Sequence, residues 1–391
     1  MRGAIAIVST ALALSLVYGS GPAQSGGSMP VPCPTFRGDC DFPSLDSVRM
    51  IDTQTGWTAT HGYRPNALLH TTDGGIHWKD ATPLRTTGQK VDVWRFTILS
   101  SAIVWVTPAS KGGPDATAEI FRTIDSGRTW KSVALPASSL SSISFIDPHE
   151  GWLIAFLAAA MGRQAVEIYR SIDSGETWIK VAASEGNVGS GLPVYGAKEN
   201  VTFLTPTTGW VTVWNYTVPG STAFLYVTHD GGRTWGEQSL PVPSGWAPSW
   251  MARPWSPKFF TAKDGIFPVF YVLFNDSREQ TGVLAAFYTT RDGGTTWTPT
   301  KPLSIADRDD PYSIVDMEHG WVSDGDALFA TSDGGRNWTT LQPAGPFADV
   351  RQLEFVSSQI GWALRRISPY LIKTLDGGRT WTSVAYTISG K

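Results

Sequence analysis

"YVTHDGGRTW", Tyr226 to Trp235, sets an acid beside two glycines, a hydroxyl and a tryptophan. Taken alone it could hold a catalytic Asp230, but the same pattern recurs along the chain. Its sisters are "TTDGGIHW" (71–78), "TIDSGRTW" (123–130), "SIDSGETW" (171–178), "TRDGGTTW" (290–297), "TSDGGRNW" (331–338) and "TLDGGRTW" (374–381). With 228–235 they place Asp73, Asp125, Asp173, Asp230, Asp292, Asp333 and Asp376 at intervals of 41 to 62 residues. That period marks one propeller blade per copy. Position one is always Thr or Ser, position three Asp, position five Gly and position eight Trp, whereas position four alternates between Gly and Ser. An invariant glycine there predicts a positive φ in a hairpin loop, where a Cβ would clash. The aspartate two residues earlier is placed to accept amide hydrogens that the loop leaves unpaired. The tryptophan opens the next strand and offers a large apolar face between blades. A catalytic residue need occur only once, whereas a device that closes a fold must occur in every blade, so the seven aspartates are read as turn-holders.

A second element precedes each box: "VRMIDTQTGW" (48–57), "ISFIDPHEGW" (143–152), "VTFLTPTTGW" (201–210), "IVDMEHGW" (314–321) and "LEFVSSQIGW" (353–362). It is degraded to "FTILSSAIVW" (96–105) and "FFTAKDGIF" (259–267) in two repeats. Each reads as a short strand, a polar turn and a second strand. A third strand such as "ALLHTT" (67–72) leads into the box, and a fourth such as "TWKSVALP" (129–136) leaves it. The expected fold is all-β: a seven-bladed β-propeller with four-stranded antiparallel blades and a box in every c–d turn, spanning residues 43–391. The richness in Gly (40) and Trp (18) suits many short strands better than helices. The 31 basic and 34 acidic residues form no long like-charged runs, which argues against a nucleic-acid footprint.

The eight-residue box resembles the Asp-box, or BNR repeat, of sialidases, sortilin-type receptors and certain propeller glycosidases. The joint pattern of strand, Gly-Trp, strand and Asp-Gly-Gly-x-Thr-Trp, over about residues 43 to 387, resembles the photosystem II assembly and stability factor family and its relatives in non-photosynthetic bacteria. That resemblance implies an exported or lumenal scaffold that binds a membrane-protein partner without catalysis. No residue matches a photosystem-specific site.

Residues 1–23 read as a secretory signal: Arg2, an apolar run from Ala4 to Tyr18, then small residues, with Gly21 and Ala23 fitting a cleavage site. The run is shorter than the ~20 residues of a membrane span, so the expected location is outside the cytoplasm, with retention as an N-terminal anchor the alternative. Residues 24–42 hold the only cysteines, Cys33 and Cys40, expected to pair as a local disulfide in an oxidising compartment. The Arg37-Gly38-Asp39 between them matches an adhesion tripeptide, a short match that arises often by chance. Since each repeat supplies four strands, the segment before Phe42 is left to clasp the outside of the ring.

In a four-stranded meander the a–b and c–d turns share one face, and the b–c turns and inter-blade connections share the other. Uniform boxes mark a structural face, and the loops that vary in length mark the binding face. The loop expected to matter most is "SGWAPSWMARPWSP" (244–257), with Trp246, Trp250, Arg253 and Trp255, a composition favoured at protein interfaces and in sugar platforms; the plainer reading is a lid packed on its neighbours. Blades seven and one adjoin in a closed ring, which sets Arg64 near Arg365 or Arg366 as a candidate anion patch, with Arg163 and Arg278 on the same face; the plainer reading is solvated loop charges.

The alternative is a carbohydrate-active propeller: a glycoside hydrolase, a sialidase-like enzyme or a lectin. "YRPN" (63–66) departs from the sialidase arginine motif and sits just ahead of the first box. Two-carboxylate chemistry would need Asp307, Asp309 or Asp310 of "ADRDDPY" (306–312) across a cleft from another carboxylate. That cluster lacks the glycine and distal glutamate of a calcium loop. No nucleophile elbow, phosphate loop or zinc-binding His pair is present, so no cofactor or metal is expected.

Overall fold

The computed structural model of the protein describes residues 44–390, apart from 62–64, 110–116, 161, 186–188, 215–223, 246–249, 276–279, 307–310 and 368–369. The signal segment, Cys33 and Cys40, Arg64, Trp246, Arg278 and Asp307, Asp309 and Asp310 lie outside the described residues. Seven antiparallel sheets follow one another along the chain. Blade one runs through strands a to d as Ser44–Met50, Gly56–His61, Leu68–Thr71 and His77–Asp80; blade four does so as Ala197–Phe203, Gly209–Trp214, Leu225–Thr228 and Gly236–Glu237. The chain is the seven-bladed β-propeller that its repeat predicts.

Each box is a closed hydrogen-bonding unit. In box four the Thr228 hydroxyl donates to Asp230 Oδ1 at 2.9 Å and accepts the Gly232 amide at 3.0 Å. Oδ1 also accepts the Arg233 and Thr234 amides, and Oδ2 accepts the Thr234 hydroxyl at 2.6 Å. Asn337 replaces that hydroxyl with its amide in box six. Both central residues have positive φ, +78° at Gly231 and +92° at Gly232, and the serines at position four follow at +59° (Ser126) and +68° (Ser174). A small polar side chain tolerates that left-handed region. At position five the nearest atoms in several boxes are side chains packed between blades: a Cβ on Gly294 would stand 2.3 Å from the Trp210 ring, and one on Gly378 2.6 Å from the Leu328 side chain.

The boxes and the a–b turns share a face, because the position-four amide of each box donates to an a–b turn of its own blade: Gly74 to Gln54, Gly231 to Thr207, Gly377 to Gln359. On the opposite face the start of an inner strand meets a b–c loop of the preceding blade at two junctions, Val93 at Asn66 and Val350 at Gly325.

Between blades, the strand-b tryptophan of one blade stacks on the phenylalanine that ends strand a of the next. Trp152 lies on Phe203 and Trp321 on Phe355, both at 3.7 Å between ring centroids. The same indoles donate to the next box, Trp152 to the Gly231 carbonyl, Trp321 to that of Gly377 and Trp362 to that of Gly74. Trp57 and Trp105 face the two boxes with serine at position four, and their buried indole N–H groups have no partner.

Ring closure joins blade seven to blade one. Gln352 accepts the Val48 amide at 2.9 Å and donates to the Val48 carbonyl at 2.7 Å, while Arg351 donates to the carbonyls of Leu45 and Asp46 at 2.6 Å each. Outside, Thr387–Ser389 lies parallel to His77–Asp80 as a fifth strand of blade one. The clasp expected from the segment before Phe42 lies outside the described residues; the clasp that is described comes from beyond blade seven.

Candidate functional site

The seven box aspartates are committed to their own turns. Burial alone would raise the Asp230 carboxyl, but hydrogen bonds from the Thr234 hydroxyl and amide and the Thr228 hydroxyl outweigh it and hold the group at about 2. Asp73 and Asp125 are likewise held at about 2, and Asp173, Asp292, Asp333 and Asp376 are lowered. Groups depressed in the folded state stabilise it above their unfolded pKa of roughly 3.9, and that contribution drains away as pH falls toward 2. Such carboxylates stay ionised at neutral pH and their oxygens are occupied by their own turns.

The opposite face is where the blades differ. Strands b and c of blade three lengthen to Gly151–Ala160 and Arg163–Ser171, and those of blade five to Gly265–Phe274 and Gln280–Thr290, two hairpins that rise beyond their sisters. Behind the blade-three hairpin, the connection to blade four is laid as an edge: Gln164 donates to Val194 and Gly196 to Gly162. Lys198 locks it, its buried ammonium donating to the carbonyls of Gln164, Val194 and Gly196 at 2.9 to 3.2 Å. Burial pushes that amine down to about 8.

Residues 250–254, expected as part of a loop, are strand instead: Trp250–Pro254 is the upper half of the blade-five inner strand and pairs with Val269 to Leu273. Proline is tolerated there because an inner strand has one edge outside the ladder. Arg253 lies over Trp214 at 5.7 Å and over Trp255 at 5.3 Å, and Trp255 meets Tyr312 edge-on. Trp250 and Trp255 are only partly buried, Trp250 packed against core residues of blades four and five and Trp255 against those of blades five and six. Arg365 is 5% exposed and donates through Nε to the Ala348 carbonyl, so it belongs to the fold; Arg366 is exposed. Arg163 lies over the Tyr195 ring.

What the sequence reading missed is the channel mouth. Five inner strands skip one residue in their pairing with strand b: Asp46, Trp94, Ser141, Glu199 and Arg351. A bulge of this kind re-aims a side chain, and here the same bulge recurs around the ring. Trp94 is 61% exposed. With Asp46, Arg49, Arg95, Asn200 and Ser256 it lines a cavity of about 510 Å³ walled mainly by blades one to three and reaching blades four and five. The signal was present: four sister blades carry a charged or hydroxyl residue where blade two has Trp94.

Below the mouth, Arg49 pairs with Glu354 at 3.0 Å. The Arg49 side chain is 59% exposed, but the solvent it meets is enclosed by the ring. Glu354 keeps it fully charged, while burial pushes the Glu354 carboxyl up against the pull of Arg49 and Lys258. Lys258 donates to the Ile314 carbonyl at 2.6 Å, and burial lowers its amine. Asp46 stands 3.6 Å from Arg351.

No protein-family model and no curated protein matches the sequence. Solved structures do match in fold. One is a polysaccharide lyase of family PL25, an ulvan lyase, with a TM-score of 0.50 at 9% identity over 87% of this chain and 95% of that one. Another is a prolyl endopeptidase, with a TM-score of 0.49 at 11% identity over 88% of this chain and 48% of that one. A third is the GH74 xyloglucanase of Xanthomonas campestris, with a TM-score of 0.42 at 14% identity over 87% and 67%. At these identities the likeness is one of fold: the chain is a seven-bladed β-propeller, and the chemistries of its neighbours differ from one another.

Proposed function

We propose that this chain is an exported, non-catalytic binding scaffold that engages a protein partner, such as a membrane protein, through the face opposite its boxes. The observation that carries the reading is the division of labour between faces. Every box spends its carboxylate on its own turn, whereas the lengthened hairpins and the open channel mouth all lie on the other side. The repeat's likeness to the photosystem II assembly and stability factor family supports the same reading, and the apolar run of residues 1–23 supports export.

Capture from membranes of the source organism tests it with four chains. Wild type and Arg233→Glu, altered in an exposed box residue, are expected to retain the same partner. Ala159→Glu, altered at the exposed tip of the blade-three hairpin, or Trp250→Ala is expected to weaken capture by about tenfold. A partner lost with Arg233→Glu and kept by both of the others would move function to the box face.

A further inference from the structure

We propose that the channel mouth is a binding site for a carboxylate-bearing saccharide, with a sugar ring stacked on Trp94 and its carboxylate held by Arg95. The site is independent of the protein partner proposed above, since the cavity lies inside the rim that a partner would cover.

Successive strand residues normally point to opposite sides. The bulge between Val93 and Arg95 breaks that alternation, so Trp94 and Arg95 both line one cavity. An indole 61% exposed to water is poorly placed for packing within its own chain. Its flat face suits the C–H face of a pyranose.

Charge sets the ligand's sign. Arg49 is matched by Glu354 and Asp46 by Arg351. Arg95 has no ion pair among the described residues; one of its nitrogens donates to the Ser141 carbonyl at 2.6 Å. A guanidinium has five N–H donors, so Arg95 keeps others for a planar carboxylate, the group its fork fits best.

The rest of the lining sets the class. Ser47, Ser256 and Asn200 line the cavity around a single exposed aromatic plane, while Thr60, Asn66 and Thr107, also in the lining, hydrogen-bond within the protein. A polyol with one apolar face answers both features. An acidic peptide side chain would reach Arg95 but offers no flat C–H face to the exposed Trp94 ring. At about 510 Å³ the cavity has the size of a small-molecule site, enough for a short oligomer of hexuronate.

Calorimetry on the full chain, with trigalacturonate, cellotriose and triglutamate as probes, decides it. Trigalacturonate is expected to bind at least about tenfold more tightly than cellotriose or triglutamate. Trp94→Ala is expected to weaken both saccharides by about tenfold or more while leaving the melting temperature unchanged, because the ring is exposed. Arg95→Gln is expected to bring trigalacturonate down to the level of cellotriose and leave cellotriose itself unaffected. No heat with either saccharide, tighter binding of triglutamate, or wild-type affinity in a folded Trp94→Ala chain would each overturn the assignment.

Discussion

Gly209→Ala is expected to destabilise the protein by roughly 1–3 kcal/mol, while Gly320→Ala, the same change in a sister blade, shifts stability by less than about 0.5 kcal/mol. The difference lies in what sits across the strand. Gly209 faces Phe203 in register, and a Cβ built on it would stand 2.6 to 2.8 Å from three atoms of that ring. The ring cannot swing aside: it is stacked on Trp152 at 3.7 Å and meets the edge of Trp235 at 6.1 Å. Aromatic side chains laid over a strand glycine are a recurrent way of covering it. Blade six ends its inner strand with Ile314 instead, and the nearest atom to a Cβ on Gly320 lies at 3.5 Å. Denaturant unfolding with an unchanged slope measures both, and equal losses would remove the aromatic-over-glycine account of the Gly-Trp motif.

A chain stopped after Ala385 is expected to melt roughly 5 °C lower or more. It loses the Thr387–Ser389 strand, the Thr387 amide bond to the Ile76 carbonyl, and the contacts of Tyr386 and Ile388 with the cluster of Trp78, Trp362 and Leu371. Those residues bridge the one junction that chain connectivity does not hold. A differential-scanning melt indistinguishable from wild type would mean that Arg351 and Gln352 close the ring unaided.

The blade count, the strand order and the two faces were legible because the chain carries seven copies of one solution, and comparing copies separates what a turn requires from what a site requires. Both box positions have positive φ, and the serines at 126 and 174 show that position four takes a small polar side chain there. Less legible were features that occur once. Trp250–Pro254 looked like loop because prolines and tryptophans crowd it, yet an inner strand with a free edge accepts both. Arg365 looked like surface charge, but strand position buries it beneath Ala348. Nothing in its local sequence singles out Trp94, because a bulge that turns a side chain toward the axis leaves no mark on hydrophobic alternation. It becomes visible only when the inner strands are set beside one another and blade two alone shows an aromatic at the skipped position.

The division between a structural face and a working face is tested most directly by thermal unfolding and membrane-partner capture measured together on Asp230→Ala and its six sister variants. Each is expected to lose roughly 1–2 kcal/mol, since every box aspartate accepts hydrogen bonds from its own turn, and each chain that remains folded is expected to capture its partner as wild type does. An Asp230→Ala chain that melts with wild type but no longer captures the partner would return that aspartate to function and contradict the account.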